Sequence, residues 1–428
     1  MTEPFPLLGA WASWSELEAL QQRRLPAMLE RARTSPFYRE RLARLDHGDL
    51  DWQDVPFTTK LDLRDAYPFR MLAVPRTEVA TYHESSGTSG EPTASFLTER
   101  DWAEVIDRFG RCSADVGPTD TVMVKTPYAL ATTAHQMHLM ARARGAMVVP
   151  ADNRTTMTPY SRVIRLLHDL GVTVSWSMPY ETLVWAAAAR LAGHDPRTGF
   201  PALRAMMVAG EPLTEARQRA IEVTWNRRVY QDYGSTETCS LAGQCPHGEL
   251  HFWADRVFPE VLTDEAGPPR AEGTGELIVT GLYAEAMPLI RYRIGDWVTL
   301  TRATCPCGWV LPTIRIHGRS RDALEIQGRR LLPAELEEAI YIGSDYQVLF
   351  WRARHDSERL DIECETPSRE LGDRVREAVH QRLGIAAEVS VQAPGTLVPH
   401  ALLTEPTRFA KPRFVYHRSE PWPPRSLY

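Results

Sequence analysis

The sequence predicts an α/β protein: a large multi-layer N-terminal domain carrying a β subdomain, followed by a small α+β C-terminal domain. Three observations carry this. Short apolar runs alternate with stretches of helical periodicity through the middle of the chain, which implies a largely parallel layered sheet. From Pro259 to about Ile316 short strands follow one another with turn signals at Asp264 to Gly275 and at Gly308, which implies antiparallel pairing. At Leu331 a new strand-and-helix pattern begins, long enough to form its own domain. The boundary falls near Arg319 to Asp322, dividing the chain into 1–320 and 321–428.

Taken in order, the opening residues are helical, because Leu17, Leu20, Leu25, Met28, Leu29 and Phe37 recur at near-helical spacing, with Ser15 as a cap. A β-like run covers Val79 to His83. Strands are expected at Thr121 to Val124, Ala146 to Val149, Val172 to Ser175, Ala205 to Val208 and Arg228 to Tyr230. Between them, Ala134 to Arg144, Tyr160 to Leu170 and Thr214 to Thr224 have helical periodicity. In the C-terminal segment Pro333 starts a helix over Ala334 to Ile340. Strands at Gln347 to Arg352 and Leu360 to Cys364, a helix at Arg369 to Leu383 and a strand at Ala387 to Gln392 follow.

Composition excludes several classes. Net charge is -6 with a pI of about 6.1, against the basic excess of a nucleic-acid binder. No apolar run is long enough to cross a bilayer, and the N-terminus lacks a basic region followed by an apolar one, so no membrane partner and a cytoplasmic location are expected. Three lysines, Lys60, Lys125 and Lys411, stand among 46 arginines, which directs attention to places where a compact ammonium is needed. The six cysteines are too uneven for a disulfide framework. Cys305-Pro306-Cys307-Gly308 offers two thiols on one tight turn, and Cys245 with His247 or His251 would complete a closed tetrahedral zinc site.

The glycine- and hydroxyl-rich stretch Ser85-Ser86-Gly87-Thr88-Ser89-Gly90-Glu91-Pro92-Thr93 can bring backbone and hydroxyl groups around phosphate oxygens, although it is no Walker loop. Alone it is equally a surface loop. Its company changes that: Ala209-Gly210-Glu211-Pro212, Tyr233-Gly234-Ser235-Thr236-Glu237, Arg291-Tyr292-Arg293-Ile294-Gly295-Asp296, Gly318-Arg319 with Asp322, and Lys411 follow in order. With these motifs the chain resembles the adenylate-forming superfamily of acyl-CoA synthetases, luciferases and peptide-synthetase adenylation domains. Val55-Pro56-Phe57-Thr58-Thr59-Lys60 with Asp62-Leu63-Arg64, Tyr67-Pro68-Phe69, His251 to Asp255 and the Cys-Pro-Cys-Gly turn make it similar to the phenylacetate-CoA ligase branch.

The resemblance implies ATP-dependent formation of an acyl-adenylate from an aryl or arylacetic acid. Transfer to the thiol of CoA or of a carrier protein's phosphopantetheine arm follows, by rotation of a mobile C-terminal lid. Ser85, Ser86, Gly87 and Thr88 would cover the ATP phosphates. Gly210, Glu211, Pro212, Asp232, Tyr233 and Gly234 would lie on the adenine side, Asp296 on the ribose, and Arg319 on ribose or phosphate. Glu237 would hold magnesium, Thr236 would contact the α-phosphate, and Lys411 would neutralise charge during displacement. Asp322 would be the hinge. Tyr128, Ala129, His135 and Gly234 would line the acyl pocket, with Lys125 or His135 available to a substrate carboxylate or ring substituent. For zinc the resemblance favours Cys245, His251, Cys305 and Cys307, with His247 competing. The oligomeric state stays open, a homodimer included. The chain departs from the family at Glu91, where a lysine is usual, and at Ala410, where a glycine is usual. Two other outcomes compete: transfer to a non-thiol acceptor, or a degenerate nucleotide-binding protein.

Overall fold

The computed structural model describes residues 5, 11–43, 45, 51–85, 91–111, 114–153, 158–264, 267–319, 323–404 and 415–420. The chain divides into two compact units: Met1–Pro118, Pro127–Gly145 and Tyr230–His317 in one; Thr119–Thr126, Ala146–Val229 and Gly318–Tyr428 in the other.

The first unit begins with helix Trp14–Ala32, capped by Ser13, whose hydroxyl accepts from the Glu16 N–H; the cap lies two residues before the expected serine. Its apolar face buries Leu17, Leu20, Leu25, Met28 and Leu29. Strands Thr81–Glu84 and Ala94–Leu97 form an antiparallel hairpin, so the hydroxyl-rich stretch joins two paired strands. The second strand leads into helix Glu99–Phe109 through a Thr98/Asp101 capping box. Helix Thr133–Ala143 also belongs to this unit. Strands Val257–Leu262, Gly273–Gly281, Tyr292–Thr301, Thr313–Gly318, Leu250–Phe252, Cys239–Gln244 and Arg228–Ser235 lie side by side in that order. Their registered pairings are antiparallel, as the turn-rich sequence predicts.

Arg291 ties this unit together. Fully buried and at φ 45°, it reaches both oxygens of Glu260 and donates to the carbonyls of Trp52, Gln53 and Val55. The next residues extend the clamp: Thr58 N–H donates to Arg291 O at 3.0 Å, and Arg293 N–H to Thr58 O at 2.9 Å. A buried guanidinium meeting this many acceptors fixes the path of residues 52–58.

In the second unit, parallel strands Ala205–Val208, Val174–Ser177, Thr121–Val124 and Met147–Pro150 lie in that order. Helices Tyr160–Asp169, Pro179–Leu191 and Glu215–Trp225 follow the strands in alternation. The C-terminal segment adds strands in the order Glu388–Gln392, Leu360–Glu365, Phe350–His355 and Val415–His417. Helix Arg369–Leu383 has the bounds the sequence predicts; strand Phe350–His355 starts three residues later than predicted. One hydrophobic core runs from Val184 and Trp225 to Ile340 and Trp351.

That core contains a polar bolt. Arg217 on helix Glu215–Trp225 donates to Glu337 Oε2 on helix Pro333–Gly343 at 2.5 Å, and Thr214, which caps the first helix, donates to Glu337 Oε1 at 2.8 Å. Arg217 also lies 3.9 Å from Glu211. Burial opposes its charge, but Glu337, Tyr341 and Glu211 hold Arg217 above its ordinary value, while burial raises the Glu337 carboxyl despite the guanidinium beside it.

Candidate functional site

In the first unit the two ends of the hydroxyl-rich stretch are pinched together. Ser85 N–H donates to Thr93 O at 3.0 Å, and Thr93 N–H donates to Ser85 Oγ at 2.9 Å. The Thr93 hydroxyl donates in turn to Glu237 Oε1, joining the stretch to a carboxylate whose side chain is only 1% exposed. Lys60 places its ammonium 3.9 Å from the same oxygen. Ser86, Gly87 and Thr88 lie outside the described residues.

Glu237 sits in the tight connection between strands Arg228–Ser235 and Cys239–Gln244, with half-buried Thr236 beside it. Gly234 is required there by close approach: a Cβ would meet Cys239 O at 1.9 Å. One residue earlier, the Tyr233 hydroxyl donates to Asp296 Oδ2 at 2.8 Å, which brings two separate motifs together. Asp232, on the opposite face of the strand, is buried and accepts from Ser240. Burial pushes its carboxyl up to about 7.

Gly210, Glu211 and Pro212 belong to the second unit and follow strand Ala205–Val208; Glu211 Oε2 accepts from the Tyr180 N–H at 3.3 Å. Arg319, half-buried, follows strand Thr313–Gly318 and belongs to the second unit. Asp322 and Lys411 lie outside the described residues.

Of the predicted acyl residues, Tyr128 and His135 belong to an aromatic group at the start of helix Thr133–Ala143. Tyr128 and His135 rings meet edge-on at 5.4 Å, and His83 lies 5.3 Å from His135. His135 Nε2 is 2.9 Å from Tyr128 O, and Tyr128 Oη is 3.0 Å from His138 Nδ1. Burial lowers His83 to about 4, so its imidazole is neutral at physiological pH. Ala129 lies in the loop between Tyr128 and the helix. Lys125 is fully buried in the other unit and donates to Asp152 O at 2.6 Å, the geometry of a strand-closing residue. A separate pocket touches Glu237 and Thr238, but Asp101, Glu104, Arg108 and Arg256 in its wall make it a poor aryl pocket.

Cys245, His251, Cys305 and Cys307 converge, with their ligand atoms all within 4.8 Å of one another. Two tight turns bring this about: Gly248 N–H returns to Cys245 O, and Gly308, at φ 81°, returns to Cys305 O. Cys245 and Cys305 sulfurs are 3.7 Å apart; a zinc–sulfur bond of about 2.3 Å implies tetrahedral edges of about 3.8 Å. His251 Nδ1 faces Leu311 O at 3.1 Å, leaving Nε2, 3.4 Å from Cys307 Sγ, for a metal. Burial lowers His251 and raises the Cys245 and Cys307 thiols, Cys307 to about 12, so a cation would be needed to make thiolates at neutral pH. His247 is not in this group. These residues fit zinc.

Sequence reasoning gave no role to Lys60 or to Arg291, although both lie in quoted motifs. The scarcity of lysine was the available signal for the first; the second needed the fold.

The family model described as AMP-binding enzyme matches residues 18–283. The phenylacetate-coenzyme A ligase of Thermus thermophilus is 32% identical over 423 residues, covering 89% of this chain and 93% of the relative. That of Aromatoleum evansii is 35% identical over 345 residues, covering 77% of this chain and 76% of its own. Among solved structures, 2-hydroxyisobutyryl-CoA ligase with 2-HIB-AMP superposes with TM-score 0.83 at 22% identity, covering 98% of this chain and 94% of that one.

Proposed function

From the premise that this chain belongs to the AMP-binding enzyme family, in its phenylacetate-CoA ligase-like branch, we propose that its acid substrate is an aryl or arylacetic acid. The enzyme is an acid-thiol ligase: it activates a carboxylic acid with ATP as an acyl-adenylate and transfers the acyl group to CoA. The observation that carries the site assignment is the continuous connection Ser85–Thr93–Glu237 beside the Tyr233–Asp296 bond. It joins a hydroxyl-rich stretch, a buried carboxylate and a second carboxylate suited to a diol.

In this reading Ser85 to Thr88 hold phosphates, Tyr233 takes the adenine, and Asp296 accepts from the ribose hydroxyls. Glu237 and the substrate phosphates together suit magnesium, which binds through few carboxylates. Magnesium would neutralise phosphate charge when bound; Thr236 and Lys411 act on the α-phosphate. The aromatic group around Tyr128 and His135 favours an aryl substrate over a long aliphatic chain. The four Cys/His ligands hold zinc structurally, with no coordination position left for catalysis. CoA is the acceptor in preference to a carrier protein.

Incubation with ATP, magnesium, CoA and aryl acids tests this. The expected products are an aryl-CoA thioester, AMP and pyrophosphate in equal amounts; pyrophosphate release with no thioester would favour a non-thiol acceptor.

A further inference from the structure

We propose that Lys60 is the cation that holds the β- and γ-phosphates of ATP and the departing pyrophosphate. This rests on the ATP-dependent activity above. The stretch from Ser85 to Thr93 contains no lysine or arginine, and its one ionisable residue is Glu91. A polyphosphate held by that stretch needs positive charge from elsewhere.

The helix Lys60–Asp65 supplies it. Lys60 Nζ stands 3.9 Å from Glu237 Oε1, an ion-pair distance too long for a hydrogen bond. The lysine side chain is 29% exposed, while that of Glu237 is 1% exposed, so a partly accessible cation stands beside a buried carboxylate. Four residues along the same helix, Arg64 Nε donates to Glu91 O at 2.8 Å. The helix therefore contacts both Glu91, near the end of the hydroxyl-rich stretch, and the carboxylate to which Thr93 is bonded.

The support behind Lys60 is elaborate for a half-exposed ion pair, which adds little to stability. Arg291 clamps residues 52–55, Thr58 is bonded to Ile290 and Arg291, and a Thr59/Asp62 capping box starts the helix. Asp62 is further held by Arg41 at 3.0 Å. All of this fixes the backbone from which the Lys60 ammonium extends. Arginine occupies nearly every other basic position, and retention of lysine here fits a compact donor to phosphate oxygens.

Calorimetric titration of the full chain with Mg-ATP, inorganic pyrophosphate and AMP separates this role from others. For K60M, ATP and pyrophosphate affinity should fall by about tenfold or more, while AMP affinity stays within about twofold, because AMP lacks the outer phosphates. K60R should recover part of the loss. Melting temperatures are read alongside, with K60Q replacing K60M if that variant is unfolded. Unchanged ATP affinity, or equal weakening of ATP and AMP, would overturn the role of Lys60 alone. Wild-type protein that binds neither nucleotide would overturn the activity assignment together with this inference.

Discussion

Asp232 is a buried carboxyl whose folded value, about 7, lies well above its ordinary range because burial disfavours the charge. The protonated form is therefore favoured by folding. Its stabilising contribution is complete below about pH 4 and is lost as pH rises towards 7. The D232N variant should gain melting temperature relative to wild type across that interval; a constant difference would contradict the assignment. Lys411 acts at a different level. On the proposed mechanism, K411A should lower adenylation by about a hundredfold or more while leaving ATP binding nearly unchanged. Loss of ATP binding in parallel would instead make Lys411 a simple nucleotide anchor.

Among elements, the two helices joined by Arg217 and Glu337 show how one buried pair organises a layer. Removing one partner leaves the other charge uncompensated, so E337A should cost about 3–5 kcal/mol in chemical denaturation, and E337Q clearly less. Equal, small effects would mean that water reaches the pair. The Cys/His knuckle links the turn after strand Cys239–Gln244 to the turn after strand Tyr292–Thr301. C305S should lose zinc by elemental analysis and lower the melting temperature, whereas wild type purified without zinc and equally stable would contradict a structural metal. Periodicity made helix Arg369–Leu383 readable to its ends, because one apolar stripe, Leu371, Val375 and Val379, repeats every four residues between Ser368 and Gly384. The cap at Ser13 was less readable, since Ser13 and Ser15 are chemically equal and only the backbone path chooses between them.

Across the whole molecule, local pattern revealed alternation of strands and helices, but contacts distant in sequence decided the site. Tyr233 and Asp296 are 63 residues apart, and Thr93 and Glu237 are 144 apart; no periodicity announces either bond. The Cys/His cluster was legible because thiols and imidazoles have few other uses at such spacing, and the geometry gathers His251, not His247, with the three cysteines. Arg291 as a clamp was not, because its meaning depends on three carbonyls more than two hundred residues earlier. No helix of the described residues is long and apolar enough to cross a membrane. The central claim is that these parts together adenylate an aromatic acid. Its most direct test is ATP–pyrophosphate exchange by the purified chain without CoA, across benzoic, hydroxy- and aminobenzoic, arylacetic, cinnamic and fatty acids. Exchange stimulated by an aryl acid and not by fatty acids is the predicted result; ATP binding with no exchange for any acid would contradict it.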